Sequence, residues 1–173
     1  MYKEKNGDIF YDVMMMIDSA GKVKYSEPKN VIYAQCVSCD CAMGAGIAVR
    51  FNQLFNIKNN ILQYLKEEQE AKISSGIPNL CEYYYVNPVI NFFTKVRYWH
   101  KPTEDDFRIA LSYLPEAVRH IKAVDKCITE VRMPMIGTGL DRLSWNFVKK
   151  VLQEQAKELD KIGVDLVVID KRL

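Results

Sequence analysis

Two stretches of this chain, Val31–Val37 and Val164–Ile169, are apolar at nearly every position. A strand with one wet face alternates apolar with polar residues, so runs of this kind are buried on both faces, inside a sheet covered by helices. Helical patterns separate the strands. Ile47, Ala48, Phe51, Leu54 and Phe55 share one helix face, with Arg50, Asn52 and Gln53 on the other. A second helix runs from about Lys58 to Lys72 through Ile61, Leu62 and Leu65, ending before Ser74-Ser75-Gly76. The aromatic stretch Tyr83–Trp99 divides into two strands near Asn87-Pro88. Thr103 caps a helix from Glu104 to about Ala123, which Pro115 kinks or splits. Cys127–Ile136 reads as a strand, Trp145–Ile162 as an amphipathic helix closed by Gly163, and Val164–Asp170 as the last strand. At the front, Asp8–Ile17 and Lys22–Ser26 flank the turn Asp18-Ser19-Ala20-Gly21, a β-hairpin. The expectation is an α/β fold with a central, mostly parallel or mixed sheet and one domain over 1–173.

Bulk properties narrow the function classes. Lys and Arg number 24 against 22 Asp and Glu, a net charge of +2 that excludes a strongly polycationic nucleic-acid binder. No apolar run nears the roughly 18 residues needed to span a bilayer. The start carries Glu4 and Asp8 and no long hydrophobic region, so a cytoplasmic protein with its five Cys reduced is expected. Cys36, Cys39 and Cys41 have a spacing that invites a zinc reading, but a fourth ligand would have to come from Cys81, Cys127, His100 or His120, with no second close pair. No metal or cofactor is expected. Two His leave no Ser/His/Asp triad to argue.

The chemistry concentrates in two segments of one design. Val31–Val37 leads into Ser38-Cys39-Asp40-Cys41-Ala42-Met43-Gly44-Ala45-Gly46 and then a helix; Cys127–Ile136 leads into Gly137-Thr138-Gly139-Leu140-Asp141 and then another. A glycine-rich turn from strand to helix lets backbone N–H groups approach an anion, and the helix N-terminus adds about +0.5 charge. Both turns belong at the carboxyl edge of the sheet, where two such cradles can hold a diphosphate. Each also has a plain packing role. Neither is a P-loop, since no Gly-Lys-Ser/Thr follows.

These segments, with Asp8-Ile9-Phe10, Thr94-Lys95-Val96-Arg97, His100-Lys101-Pro102-Thr103 and Met133–Trp145, resemble a macrodomain in the family's order. The resemblance is to the terminal ADP-ribose protein glycohydrolase branch, which also holds ADP-ribose 1''-phosphate phosphatase-like proteins. It implies a three-layer fold, a mixed sheet between helices, and ADP-ribose or an ADP-ribosylated protein as the partner of a monomer. By the same resemblance, Asp8 bonds the adenine amino group and Ile9 lines its pocket. Gly44, Ala45, Gly46 and Ile47 form the first phosphate loop, and Gly137, Thr138, Gly139 and Leu140 the second. Ser38 and Asp40 lie near the distal ribose. Lys95 attacks the anomeric carbon, and Asp141 resolves the lysine adduct. Phe93 and Arg97 are expected on the same strand face as Lys95. On pattern alone Lys95 is a solvated strand-edge charge and Asp141 a helix cap. The resemblance favours a hydrolase of mono-ADP-ribose on protein carboxylates, with an ADP-ribose 1''-phosphate phosphatase or a non-catalytic ADP-ribose reader as alternatives. The sequence departs from the branch in a longer segment between Phe10 and Val31, in Val96, Tyr98 and Trp99 beside Lys95, and in Pro115.

Overall fold

The computed structural model describes residues 1–71 and 76–171. Its six-stranded sheet is built on β4 (Val31–Ser38), which pairs in parallel with β6 (Val89–Lys95) on one side and β7 (Glu130–Pro134) on the other. Beyond β7 lie β8 (Asp165–Asp170) and β1 (Tyr2–Asn6), both parallel. Beyond β6 lies β5 (Tyr83–Val86), antiparallel, which makes the sheet mixed. A separate antiparallel hairpin joins β2 (Met14–Ile17) to β3 (Val23–Ser26).

The apolar strands are buried on both faces, as their composition predicts. Tyr33 and Val37 of β4, Phe93 of β6 and Val167 of β8 pack under α1 (Ile47–Phe55) and α2 (Ile57–Glu70), around Phe51, Ile57, Ile61 and Leu65. Their neighbours Ile32, Ala34, Phe92 and Val168 face the other way, against α3 (Glu104–Ser112), α4 (Leu114–Val124) and α5 (Trp145–Asp160). This period of two divides the core into two layers separated by the sheet.

Pro115 splits its helical segment, so that α3 ends at Ser112 and α4 begins at Leu114 with the proline in its first turn, where no N–H is needed. The Thr103 hydroxyl caps α3 by accepting the Asp106 N–H at 3.0 Å. Gly163, at φ 68, turns the chain from α5 into β8. The hairpin forms where expected, its turn held by the Asp18 carboxylate on the N–H groups of Ala20 and Lys22. Four expectations change. Residues 2–6 are a strand, β1, that the pattern of charges hid. Asp8–Val13 is turns and irregular chain rather than strand. Residues 127–129 precede β7 rather than opening it. Helix α2 stops at Glu70, and the expected stop before Ser74-Ser75 lies outside the described residues.

Arg132 of β7 is only 2% exposed and ties the core to the chain that precedes the hairpin. Its guanidinium donates to Asp12 at 2.6 Å and Glu130 at 2.7 Å, and lies over the Tyr11 ring at 4.8 Å. Desolvation opposes its charge, yet the two carboxylates hold it protonated above the usual arginine range. Arg132→Met leaves those acids unpaired. Guanidinium chloride unfolding should show a loss of about 3 kcal/mol, and Arg132→Lys should restore part of it, because an ammonium lacks the planar fork that serves two acids at once.

Candidate active site

The carboxyl ends of β4, β6, β7 and β8 meet at one edge of the sheet, around a cleft of ≈ 720 Å³. That volume suits a nucleotide-sized ligand. All the site residues expected from the sequence line it except Asp40.

The segment after β4 is tightly curled. Cys41 (φ 49) and Met43 (φ 46) adopt left-handed backbone, a strain of roughly 1–3 kcal/mol each that packing must hold and that clusters at ligand clamps. Asp40 is the brace. Its carboxylate accepts the Ser38 hydroxyl and the N–H groups of Tyr98 at 3.0 Å and Ala42 at 3.4 Å. Partial burial pushes this carboxyl up, but those donors hold it below the ordinary value. Asp40 therefore faces the turn rather than the cleft, while Ser38 lines the cleft. Gly46 combines φ 62 with ψ −149, a region open essentially to glycine alone, and puts no side-chain cap on α1. The N–H groups of the first turn of α1 are thereby left to a ligand.

The segment after β7 stands opposite. Gly137 (φ 73) accepts the Leu143 N–H at 2.8 Å, and the Thr138 hydroxyl donates to the Met135 carbonyl at 2.9 Å. A Cβ on Gly137 would lie 3.0 Å from the Phe107 ring and 3.1 Å from Leu143. Leu140 approaches Gly46 across the cleft mouth, and Lys101 Nζ donates to its carbonyl.

Lys95 and Asp141 meet in the wall between these segments. Nζ lies 2.5 Å from Oδ1, and each side chain is 12% exposed. Lys95 is no solvated edge charge, because β6 runs between β4 and β5. Its aim comes from a slip in the ladder: Val37 pairs with Phe93, but Ser38 pairs with Lys95, leaving Thr94 as an extra residue. The slip breaks the alternation that would put Phe93 and Lys95 on one face. Phe93 packs under α1 and α2, while Lys95 points to Asp141. Asp141 is not the helix cap either; Ser144 holds that position before α5. The nearby Cys36 thiol is pushed up by burial and by the Asp141 carboxylate, so it stays protonated.

The three close cysteines do not converge. Cys36 packs toward the layer of α3–α5, Cys39 and Cys41 toward that of α1 and α2, where burial lifts both thiols to about 11. Among the described residues no three Cys, His, Asp or Glu side chains are grouped to hold a metal ion. No described helix is long and apolar enough to cross a membrane.

At the far end of the cleft the structure adds a residue that the helical pattern placed on the solvent side. Arg50 donates to both Asp8 oxygens, at 2.9 and 3.0 Å, and lies 4.8 Å above the Phe10 ring. These bonds hold the Asp8 carboxyl below its ordinary range, and Oδ1 also accepts the Phe10 N–H. Ile9 is buried beside them. Tyr98 is a second unforeseen lining residue, on an exposed turn where it meets Trp99 edge-on at 4.8 Å. The sequence signal for Tyr98 was its place three residues after Lys95; Arg50 had none apart from its tertiary neighbour.

No family model matches the chain. It is 34% identical over 133 residues to the human ADP-ribose glycohydrolase OARD1, covering 77% of this chain and 79% of that protein, and 33% identical to the bovine protein over the same length. Among solved structures, the Thermus aquaticus DarG macrodomain superposes with a TM-score of 0.66 at 19% identity, covering 98% of this chain and 97% of that one. Thermosipho africanus DarTG in complex with ADP-ribose gives 0.64 at 15% identity, covering 98% of this chain and 42% of that one. With a third of its residues shared with the two glycohydrolases over most of its length, and its architecture shared with DarG macrodomains, the chain belongs to the macrodomain family, on its terminal ADP-ribose protein glycohydrolase-like branch.

Proposed function

We propose that this protein binds ADP-ribose in the cleft and hydrolyses mono-ADP-ribose from protein carboxylates, or from related 1''-O-linked species, as a cytoplasmic monomer in which 1–173 acts as one macrodomain. The observation that carries this reading is the Lys95–Asp141 pair, an amine and a carboxylate 2.5 Å apart between two backbone cradles. A protein that only held the ligand would need neither group.

In this reading the diphosphate lies between residues 44–47 and 137–140. Charge-assisted hydrogen bonds from backbone N–H groups contribute roughly 1.5–3 kcal/mol each, so a few of them, with base and ribose contacts, reach the ~8 kcal/mol of micromolar binding after association costs. Asp8 keeps a lone pair on Oδ2 for the adenine amino group, steadied by Arg50, and Ile9 supplies the apolar floor. Ser38 serves the distal ribose, and Asp40 acts through Ser38 and Tyr98 as a positioning residue.

The reaction uses the pair twice. Lys95 passes a proton to Asp141 and attacks C1'' with its freed lone pair. The Nζ–C1'' bond forms as the C1''–O bond breaks, and the modified residue leaves as its carboxylate, which takes the proton held on Asp141. Asp141, ionised again, then takes a proton from a water that adds to C1'', the Nζ–C1'' electron pair returns to lysine, and Asp141 hands that proton back to the amine. The sum is ester plus water giving carboxylic acid plus ADP-ribose, with no redox change and no cofactor in the step.

Two sets of variants test this. Lys95→Ala and Asp141→Ala should each lower turnover of an ADP-ribosylated peptide at least a hundredfold while calorimetric affinity for ADP-ribose stays within a few-fold of wild type. Mass spectrometry of Asp141→Ala should show a Lys95 adduct. Full turnover in both variants refutes the mechanism, and binding without release from peptide, O-acyl-ADP-ribose or the 1''-phosphate makes the protein a reader. Gly137→Val forces a branched side chain into left-handed backbone against Phe107 and should weaken ADP-ribose binding more than tenfold, again by calorimetry.

A further inference from the structure

Away from the cleft, β5 forms one outer edge of the sheet. The Phe93 N–H bonds the Glu82 carbonyl at 2.9 Å, and alternation in an antiparallel ladder makes Tyr84–Asn91 and Val86–Val89 the next bonded pairs. The N–H and C=O groups of Tyr83 and Tyr85 therefore point outward, and among the described residues no strand takes them. Such an edge is a template for a further strand.

Both faces of this edge are walled in the same way. On the α2 side, Tyr84 meets Tyr64 edge-on at 5.5 Å, with Glu68 and Glu82 beside them. On the α4 side, Tyr83 lies 6.3 Å from Tyr113, with Glu116 beside it. Burial first, and these acids second, raise the Tyr83 and Tyr84 phenols, the latter to about 12, so both remain neutral donors. Together the walls bound a groove of ≈ 840 Å³ whose lining, among the described residues, holds no Lys, Arg or His.

We propose that the outer edge of β5 is a docking site for an extended, Lys/Arg-rich segment of a partner protein, added to the sheet as a strand. Side chains of an added strand alternate between its two faces, so each meets a wall of tyrosine and glutamate. Aliphatic stems of lysine or arginine lie along the rings, the cations face the ring π-systems, and their heads reach the carboxylates. The charge pattern favours a basic partner over a second copy of this chain, because a second β5 edge would bring further tyrosines and glutamates rather than cations for these acids.

Fluorescence anisotropy with a labelled decapeptide of alternating arginine and lysine tests the site on the intact protein. Saturable binding is expected, with a decapeptide of alternating glutamate and serine giving none. The double variant Glu82→Lys/Glu116→Lys should weaken it at least tenfold and leave ADP-ribose affinity unchanged. Tyr85→Pro removes an outward N–H without touching the ladder to β6 and should weaken it comparably. If that variant unfolds, hydrogen exchange on the wild type decides: the peptide should slow exchange at the Tyr83 and Tyr85 amides. Undiminished binding by the double variant, unprotected amides, or equal binding of the acidic peptide each overturns the proposal. So does sedimentation showing a dimer whose β5 amides are protected without peptide, which would assign the edge to a second copy.

Discussion

Deep in the sheet, the Gln35 amide donates to the Asn91 carbonyl oxygen at 2.8 Å, and Asn91 in turn donates to the carbonyls of Tyr84 and Val89. Both side chains are fully buried, among otherwise apolar neighbours. A slip of β4 against β6 by one residue would set these amides against Ile90 or Phe92 and leave donors unsatisfied, at a cost of roughly 1–3 kcal/mol each. The register so fixed places Ser38 opposite Lys95. A polar pair in the core thus sets where the Lys95 amine stands at the rim. The stability of the two apolar layers and the geometry of the cleft are the same constraint seen from two ends.

Charge is distributed around that frame in pairs drawn from different parts of the chain. Lys95 ends β6 while Asp141 follows β7, Arg50 lies on α1 while Asp8 follows β1, and Arg132 of β7 holds Asp12. None of these pairs is local in sequence, so the site's electrostatics exist only once the sheet has closed. Under the proposed function this suits a near-neutral chain: the anion would be met by backbone dipoles in the two loop segments, while Lys95 and Arg50 are already engaged by carboxylates.

What the sequence reveals follows the same division. Val31–Val37 and the last strand were legible because burial on both faces leaves almost no polar residue to confuse the pattern. Pro115 and Gly163 act through their own backbone chemistry and needed no partner to be read. Residues 2–6, Tyr-Lys-Glu-Lys-Asn, carry no apolar alternation; they are a strand because β8 offers them an open edge. Arg50 belongs to the polar side of its helix by spacing, yet that side faces the turn bearing Asp8 rather than water. The aim of Lys95 depends on one residue too many in β6 relative to β4, a property of the pairing and not of either strand. Asp40 matched a family position, but its role as a brace depends on the Tyr98 amide 58 residues away.

The hairpin of β2 and β3 stands off the sheet, with Met14, Met15, Met16, Ile17 and Val23 all exposed. The chain leaves for it beside Arg132, through Asp12, and returns at Val31, which pairs with Glu130 two residues along the same strand. Departure and re-entry are thus pinned to neighbouring points of β7, and of what lies between, Asn30 bonds β7 through its carbonyl while the hairpin strands pair only with each other. Doubling the length of such an excursion costs only about 0.6 kcal/mol in closure entropy. This makes the hairpin itself, short of Asn30, a natural splice point: a graft of different size or chemistry can be exchanged there while the scaffold beneath keeps its shape.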